Sequence, residues 1–178
     1  KSIREEKLLT RKELNQVIKL SGHKTALLIK TLFETAGRIS EIVNIKLSDC
    51  QIIGDGVHVK IKGKGNKEGT VFLSLDTFNQ VKAAYQGNIY LFEYQGQAIS
   101  RHTAGKLLTA AGKKINRKLT PHMLRHTWAT LSIEDLGLSK VSTYLRHQQT
   151  STTADFYLHG KADSVEVLQI NRSNIYAA

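Results

Sequence analysis

The spacing of apolar residues predicts two helices at the start of the chain. Thr10 followed by Glu13 has the pattern of a capping box, so we expect a helix from about Arg11 to Leu20. A second helical pattern follows, and Gly37 is placed to end it, which leaves Arg38 beside a helix junction. The apolar positions of this second helix are Ala26, Leu27, Ile29, Leu32, Phe33 and Ala36.

Between residues 50 and 75 the apolar period becomes two, which is typical of half-buried strands. Val57, Val59 and Ile61 alternate with polar residues. Gly54-Asp55-Gly56 predicts a hairpin turn. A lysine-rich turn over residues 63–69 then leads into the apolar run 70–73. This region therefore predicts a small antiparallel sheet of about three strands.

Helical patterns return after residue 76. One helix ends near Gln86, another follows a Ser100 cap, and a third begins at Thr120-Pro121. Because Pro121 is the only proline, we expect the helices to run unbroken. Shorter helices are predicted after Ser139, the Thr150 to Thr153 cluster and Asp163. The predicted fold class is α+β, mainly helical with a small three-stranded antiparallel sheet.

Composition favours a single basic domain. The 178 residues are 40% hydrophobic, enough for one core. Lys and Arg number 26 against 15 Asp and Glu, so the net charge of +11 makes a polyanion the leading partner. An anionic membrane is the alternative, but no apolar run approaches the roughly 20 residues that span a bilayer, and we find no signal peptide.

Cys50 is the only cysteine, which excludes an internal disulfide and a cysteine-based metal cluster. A reducing cytoplasm is therefore the expected location. The sequence also lacks a phosphate-binding Gly-x-x-x-x-Gly-Lys loop and a carboxylate cluster of the kind used by two-metal nucleases.

The most informative segment places His122 and Arg125 three residues apart at the start of a predicted helix. At that spacing both side chains share one face, where the helix dipole, backbone N–H groups and a guanidinium all favour a phosphate. An isolated His-x-x-Arg is nevertheless more often a solvated basic face. His122 and His126 also have the spacing of a zinc pair, but no third ligand is obvious.

His122-Met-Leu-Arg125-His126 resembles the His-x-x-Arg-His box of the tyrosine recombinases and phage integrases. Upstream, Thr35-Ala-Gly-Arg38-Ile-Ser-Glu41 is similar to the family's box for the first catalytic arginine. By itself, Arg38 with Glu41 also fits a surface salt bridge worth at most about 1 kcal/mol. The order of the boxes along the chain favours the resemblance.

Two further segments match the same family. The run Gly63-Lys64-Gly65-Asn66-Lys67-Glu68 resembles the hairpin turn that delivers the catalytic lysine, which implies Lys64, with Lys67 as runner-up. Tyr144-Leu-Arg146-His147 resembles the leucine-glycine-histidine box, with Arg146 in place of the usual glycine. The segment from Ser151 to His159 resembles the family's nucleophile segment and implies Tyr157.

The resemblance implies the recombinase catalytic-domain fold over residues 1–178, with a core-site-binding domain expected outside this sequence. It implies DNA cleavage and rejoining through a 3′-phosphotyrosine, without ATP or metal. The implied catalytic residues are Arg38, Lys64, His122, Arg125, His147 and the nucleophile Tyr157; the implied DNA-binding residues are Lys62, Lys67 and Arg146.

The expected partners are a double-stranded recombination site and further copies of the chain, as a tetramer on DNA. Residues 162–170 are expected to dock either on a neighbouring copy or on their own domain. Two alternatives remain open from the sequence: a type IB topoisomerase, which shares this chemistry, and a DNA-binding relative without catalysis, for which the basic charge would suffice.

Overall fold

The computed structural model describes residues 8–62, 68–145 and 164–175. Within these ranges it has seven α-helices, a 3₁₀-helix and five short strands. The helices are α1 (Arg11–Leu20), α2 (His23–Thr35), α3 (Ile39–Ile42), α4 (Leu75–Tyr85), α5 (Arg101–Lys113), α6 (Pro121–Tyr144) and α7 (Ser164–Ile175), with the 3₁₀-helix at Leu47–Asp49. The strands are β1 (Cys50–Ile53), β2 (Gly56–Lys62), β3 (Glu68–Ser74), β4 (Glu93–Tyr94) and β5 (Gln97–Ala98). The predicted fold class is confirmed.

Helix α2 forms the centre of the core. Its middle is apolar on most sides, and it contacts α1, α4, α5, α6 and β3. Leu28, Ile29 and Phe33 are fully buried within it. Because α2 is held on so many sides, its C-terminal end is a fixed point from which the chain leads into Arg38.

The end of α2 differs in detail from the prediction. Ala36, not Gly37, adopts the left-handed conformation that closes the helix, with φ 47° and ψ 25°. A glycine is needed at position 37 for a different reason, because a Cβ there would overlap the buried side chain of Ile42. The tight packing of Ile42 under this loop fixes the path of the backbone into Arg38.

The three-stranded sheet has the order β1-β2-β3 and is antiparallel throughout. The predicted alternation is confirmed: Val57, Val59 and Ile61 are buried, whereas Lys60 and Lys62 are exposed. The register of β2 and β3 runs to the pair Lys62 and Glu68. The lysine-rich turn between these two residues, 63–67, lies outside the described residues.

Helix α6 begins at Pro121, as predicted, but the expectation that it runs unbroken is wrong. Gly137 has φ 78° and ψ 155°, which interrupts the helix before residues 138–144 become helical again. Glycine adopts this conformation without the Cβ clash of other residues. In the described parts of the chain, no helix is both long and apolar enough to cross a bilayer.

Helix α7 packs on its own chain in this structure. Asn171 is 1% exposed, and its side chain makes two long-range hydrogen bonds. Its Oδ1 accepts from Trp128 Nε1 at 2.9 Å, and its Nδ2 donates to the Glu34 carbonyl at 2.9 Å. The same amide therefore joins α7 to α6 and to α2. Docking of this segment on a neighbouring copy stays a prediction.

We expect Asn171→Ala to lower the free energy of unfolding by about 2–4 kcal/mol, because a buried indole N–H and a buried carbonyl would each lose their partner. Asn44→Ala is the matched control, since Asn44 is exposed and bonds only locally to the Ser40 carbonyl. Urea unfolding measures both. Equal losses for the two variants would contradict the role assigned to Asn171.

Candidate active site

Arg38 lies at the N-terminal end of α3, where the buried carboxylate of Glu41 holds it twice. The Arg38 backbone N–H donates to Glu41 Oε2 at 2.9 Å, and its guanidinium lies 3.3 Å from Oε1. The Arg38 side chain is 40% exposed, whereas that of Glu41 is 3% exposed. The pair is therefore not a fully solvated surface salt bridge. The buried Glu41 carboxylate instead orients the half-exposed Arg38 guanidinium.

Arg125 is 8% exposed, and its guanidinium lies inside the domain. One terminal nitrogen donates to the Ala36 carbonyl and the other to the Leu145 carbonyl. Ala36 lies two residues before Arg38, and Leu145 directly follows α6. A planar guanidinium can make these two bonds at once because its donors point in fixed, divergent directions. Arg125 thereby joins residues 36–38, which we call the Arg38 loop, to the end of α6.

His122 lies in the first turn of α6, one turn before Arg125. The helix is capped by Thr120, whose hydroxyl accepts from the Met123 N–H at 3.1 Å. His122 and Arg125 differ in surroundings despite their spacing, since His122 is exposed and Arg125 is buried. The His122 and His126 rings meet edge to face with centroids 5.0 Å apart. Among the described residues, no group of three metal-binding side chains is assembled.

A cleft of about 920 Å³ adjoins the Arg38 loop. It lies between the start of α3, strands β2 and β3, and the end of α6, and its lining includes Ser40, Glu41, Lys60, Lys62, Phe72 and Tyr144. Lys62 is thus exposed beside the cleft at the end of β2. Lys60, which the sequence did not single out, is exposed beside the same cleft, because the alternation that exposes Lys62 also exposes Lys60.

Five residues implied by the sequence lie outside the described residues: Lys64, Lys67, Arg146, His147 and Tyr157. The residues that flank the segments 63–67 and 146–163 are described. Residues 63–67 leave from the paired ends of β2 and β3, and residue 146 follows Leu145, whose carbonyl accepts from Arg125. The structure thus brings Arg38 and Arg125 to the same end of α2 and holds Leu145, two residues before His147 in sequence, against Arg125.

Two tyrosines outside the predicted nucleophile segment have engaged hydroxyls. The Tyr144 hydroxyl donates to the Thr35 carbonyl at 3.2 Å and accepts from the Phe72 N–H at 3.2 Å. The Tyr85 hydroxyl donates to the Lys24 carbonyl at 3.2 Å, and burial raises the pKa of Tyr85 to about 12. Neither phenol is suited to attack a phosphate.

The chain is similar to known proteins over most of its length. A family model described as the phage integrase family matches residues 7–163. The tyrosine recombinase XerD of Staphylococcus haemolyticus is 32% identical over 161 residues, covering 83% of this chain and 54% of that protein. A tyrosine recombinase of Agathobacter rectalis is 30% identical over 166 residues, covering 86% of this chain and 53% of that protein. The chain thus spans about half the length of these curated relatives.

Solved structures share the fold. The XerH recombinase bound to its palindromic difH substrate, a post-cleavage complex, matches with TM-score 0.67 and 22% identity over 97% of this chain and 53% of that one. The catalytic core of lambda integrase matches with TM-score 0.63 and 18% identity over 79% of this chain and 94% of that one. A lambda integrase tetramer bound to a Holliday junction matches with TM-score 0.64 and 17% identity over 82% of this chain and 49% of that one.

Proposed function

The chain belongs to the phage integrase family, and on this premise we propose that it cleaves and rejoins DNA at a recombination site through a phosphotyrosine bond to Tyr157. The observation that carries the proposal is the Arg125 guanidinium, which joins the Arg38 loop to the end of α6. This arrangement brings two cationic side chains and Leu145, the residue that lies two before His147 in sequence, to one end of α2.

We propose that residues 1–178 form the catalytic domain of a longer recombinase. The match to nearly all of the lambda integrase catalytic core supports this, as does the match to only about half of the full-length relatives. In the proposed whole protein, a core-site-binding domain lies outside this sequence and completes a clamp around the DNA.

Arg38 and Arg125 are the proposed ligands of the scissile phosphate. A phosphodiester repels nucleophiles because it is anionic, so fixed positive charge on its non-bridging oxygens stabilises the transition state. Arginine suits this role because a guanidinium group keeps its charge at any working pH. Glu41 and the two carbonyls orient these guanidiniums before DNA arrives, which reduces the reorganisation that the reaction needs.

In the proposed step, the Tyr157 oxygen forms a bond to phosphorus while the bond from phosphorus to the 5′ oxygen breaks. A tyrosine phenol is mostly protonated at neutral pH, so Tyr157 needs a base, for which His122 is the candidate. Lys64 gives a proton to the leaving 5′ oxygen, and His147 donates a hydrogen bond to a non-bridging oxygen. A second 5′ hydroxyl then attacks the phosphotyrosine and reseals the strand, so neither ATP nor a metal is required.

The proposed DNA contacts outside the reacting phosphate are Lys62, Lys67 and Arg146. The formal charge of +11 supports phosphate-backbone binding. A tetramer on DNA is proposed as well, supported by the lambda integrase tetramer on a Holliday junction. A cytoplasmic location remains a prediction from the single cysteine.

The test uses duplex DNA that carries an end of the mobile element encoding this protein. A nick is placed in this DNA so that cleavage releases a short strand with a 5′ hydroxyl. Wild-type protein should form an SDS-resistant adduct, and peptide mapping should locate the DNA on Tyr157. Relaxation of supercoiled plasmid without regard to sequence would instead identify a topoisomerase. Binding without any adduct would identify an inactive relative, and either result would overturn the proposal.

A further inference from the structure

Tyr144 is the last residue of α6 and, at 8% exposed, the one buried tyrosine among the described residues. Its ring is held on two sides. It stacks on Phe72 with centroids 5.8 Å apart and an angle of 21°, and it meets Trp128 at 4.8 Å and 38°. Such packing leaves the phenol one position, so its hydroxyl is aimed rather than free to rotate away.

That hydroxyl joins two segments far apart in sequence. It donates to the carbonyl of Thr35, the last residue of α2, and it accepts from the backbone N–H of Phe72 in β3. Both distances are 3.2 Å. One hydroxyl therefore ties the end of α6 to the end of α2 and to the hairpin.

These bonds lie next to those of Arg125. Thr35 precedes Ala36, and Tyr144 precedes Leu145, and the carbonyls of Ala36 and Leu145 both accept from Arg125. Two consecutive residues at the end of α2 are thus fastened to two consecutive residues at the end of α6. The Tyr144 hydroxyl bonds directly to Thr35, and Arg125 connects Ala36 to Leu145. Loss of one connection should therefore disturb the other.

The bond to Phe72 extends the link to the sheet. Phe72 pairs with His58 in the register that continues to Lys62 and Glu68, the residues from which the turn carrying Lys64 leaves. A strand held at Phe72 cannot shift towards or away from α6 without breaking this bond. The hairpin is thereby fixed relative to both arginines.

We propose that Tyr144 is a positioning residue for DNA cleavage, which holds the Arg38 loop, Arg125 and the lysine-bearing hairpin in one arrangement through its hydroxyl. The inference rests on the function proposed above. Tyr144 does not touch the DNA in this role. Its hydroxyl acts through the segments that carry the groups contacting the phosphate.

The test is Tyr144→Phe, which keeps the stacked ring and removes only the hydroxyl. We expect single-turnover cleavage of the nicked DNA at saturating protein to slow at least 10-fold, with the Kd for the same DNA within 2-fold of wild type. Tyr85→Phe is the matched control, because it also removes one hydroxyl that donates to a backbone carbonyl at 3.2 Å, that of Lys24 in the first turn of α2. It should cleave at the wild-type rate.

A second readout does not depend on cleavage. In ¹⁵N-labelled protein, Tyr144→Phe should shift the side-chain Nε–H resonances of Arg38 and Arg125, and Tyr85→Phe should leave them in place. If wild-type protein forms no adduct, the proposed function fails, and these resonances still decide whether the Tyr144 hydroxyl positions the two arginines. Unchanged arginine resonances or an unchanged cleavage rate in Tyr144→Phe would overturn the inference. Equal slowing of Tyr144→Phe and Tyr85→Phe, measured well below their melting temperatures, would overturn it as well.

Discussion

Tyr157→Phe is expected to abolish the SDS-resistant adduct on nicked DNA while leaving DNA binding within 2-fold of wild type. The phenol oxygen is the atom proposed to bond to phosphorus, and phenylalanine offers no replacement. DNA affinity should persist, because it comes mainly from cationic side chains that the substitution leaves unchanged. Denaturing gel electrophoresis of labelled DNA measures the first, and a binding titration the second.

Two of the four described tyrosines, Tyr85 and Tyr144, are unsuited to act as a substitute nucleophile. Tyr144 has its hydroxyl bonded to two backbone groups, and Tyr85 has a pKa raised to about 12 by burial. Tyr85→Phe is the control and should form the adduct in full. An undiminished adduct in the Tyr157 variant would show that another residue attacks, and the assigned register of the nucleophile segment would then be wrong.

Arg125→Lys is expected to slow cleavage by about 100-fold or more, the usual scale for losing one fixed donor to a transition-state oxygen. Lysine keeps the charge but has a single nitrogen on a flexible stem, so it cannot reproduce the bidentate geometry of the guanidinium. It also cannot hold the Ala36 and Leu145 carbonyls together as Arg125 does. The free energy of unfolding should therefore fall too, by about 2–3 kcal/mol.

Arg117→Lys separates these two effects. The Arg117 guanidinium also donates to a backbone carbonyl, that of Leu8, and to the Glu13 carboxylate, but it is bound to the N-terminal region and not to the Arg38 loop. We expect this variant to lose stability and to keep its cleavage rate at temperatures where it is folded. Single-turnover kinetics and urea unfolding on both variants provide the comparison. A cleavage rate in Arg125→Lys equal to that of Arg117→Lys would remove Arg125 from the catalytic set.

Local patterns predicted much of the fold because their causes are local. The Thr10 and Glu13 capping box forms as expected, and the period-two run over residues 57–61 is a strand with the predicted face buried. The two-residue strands β4 and β5 were not predicted, since a period of two cannot be recognised in two residues. The single proline did not predict the break at Gly137, because glycine also interrupts a helix by adopting a positive φ.

By itself, the sequence determined which cationic side chains occur, in what order they occur, and which predicted helix ends they lie next to. Only the tertiary structure decided how they are held. The bonds from Arg125 to Ala36 and from Tyr144 to Thr35 span 89 and 109 residues, and each ends on a backbone carbonyl. Every residue carries that same acceptor, so no residue type at positions 35 or 36 can signal the contact before the chain has folded.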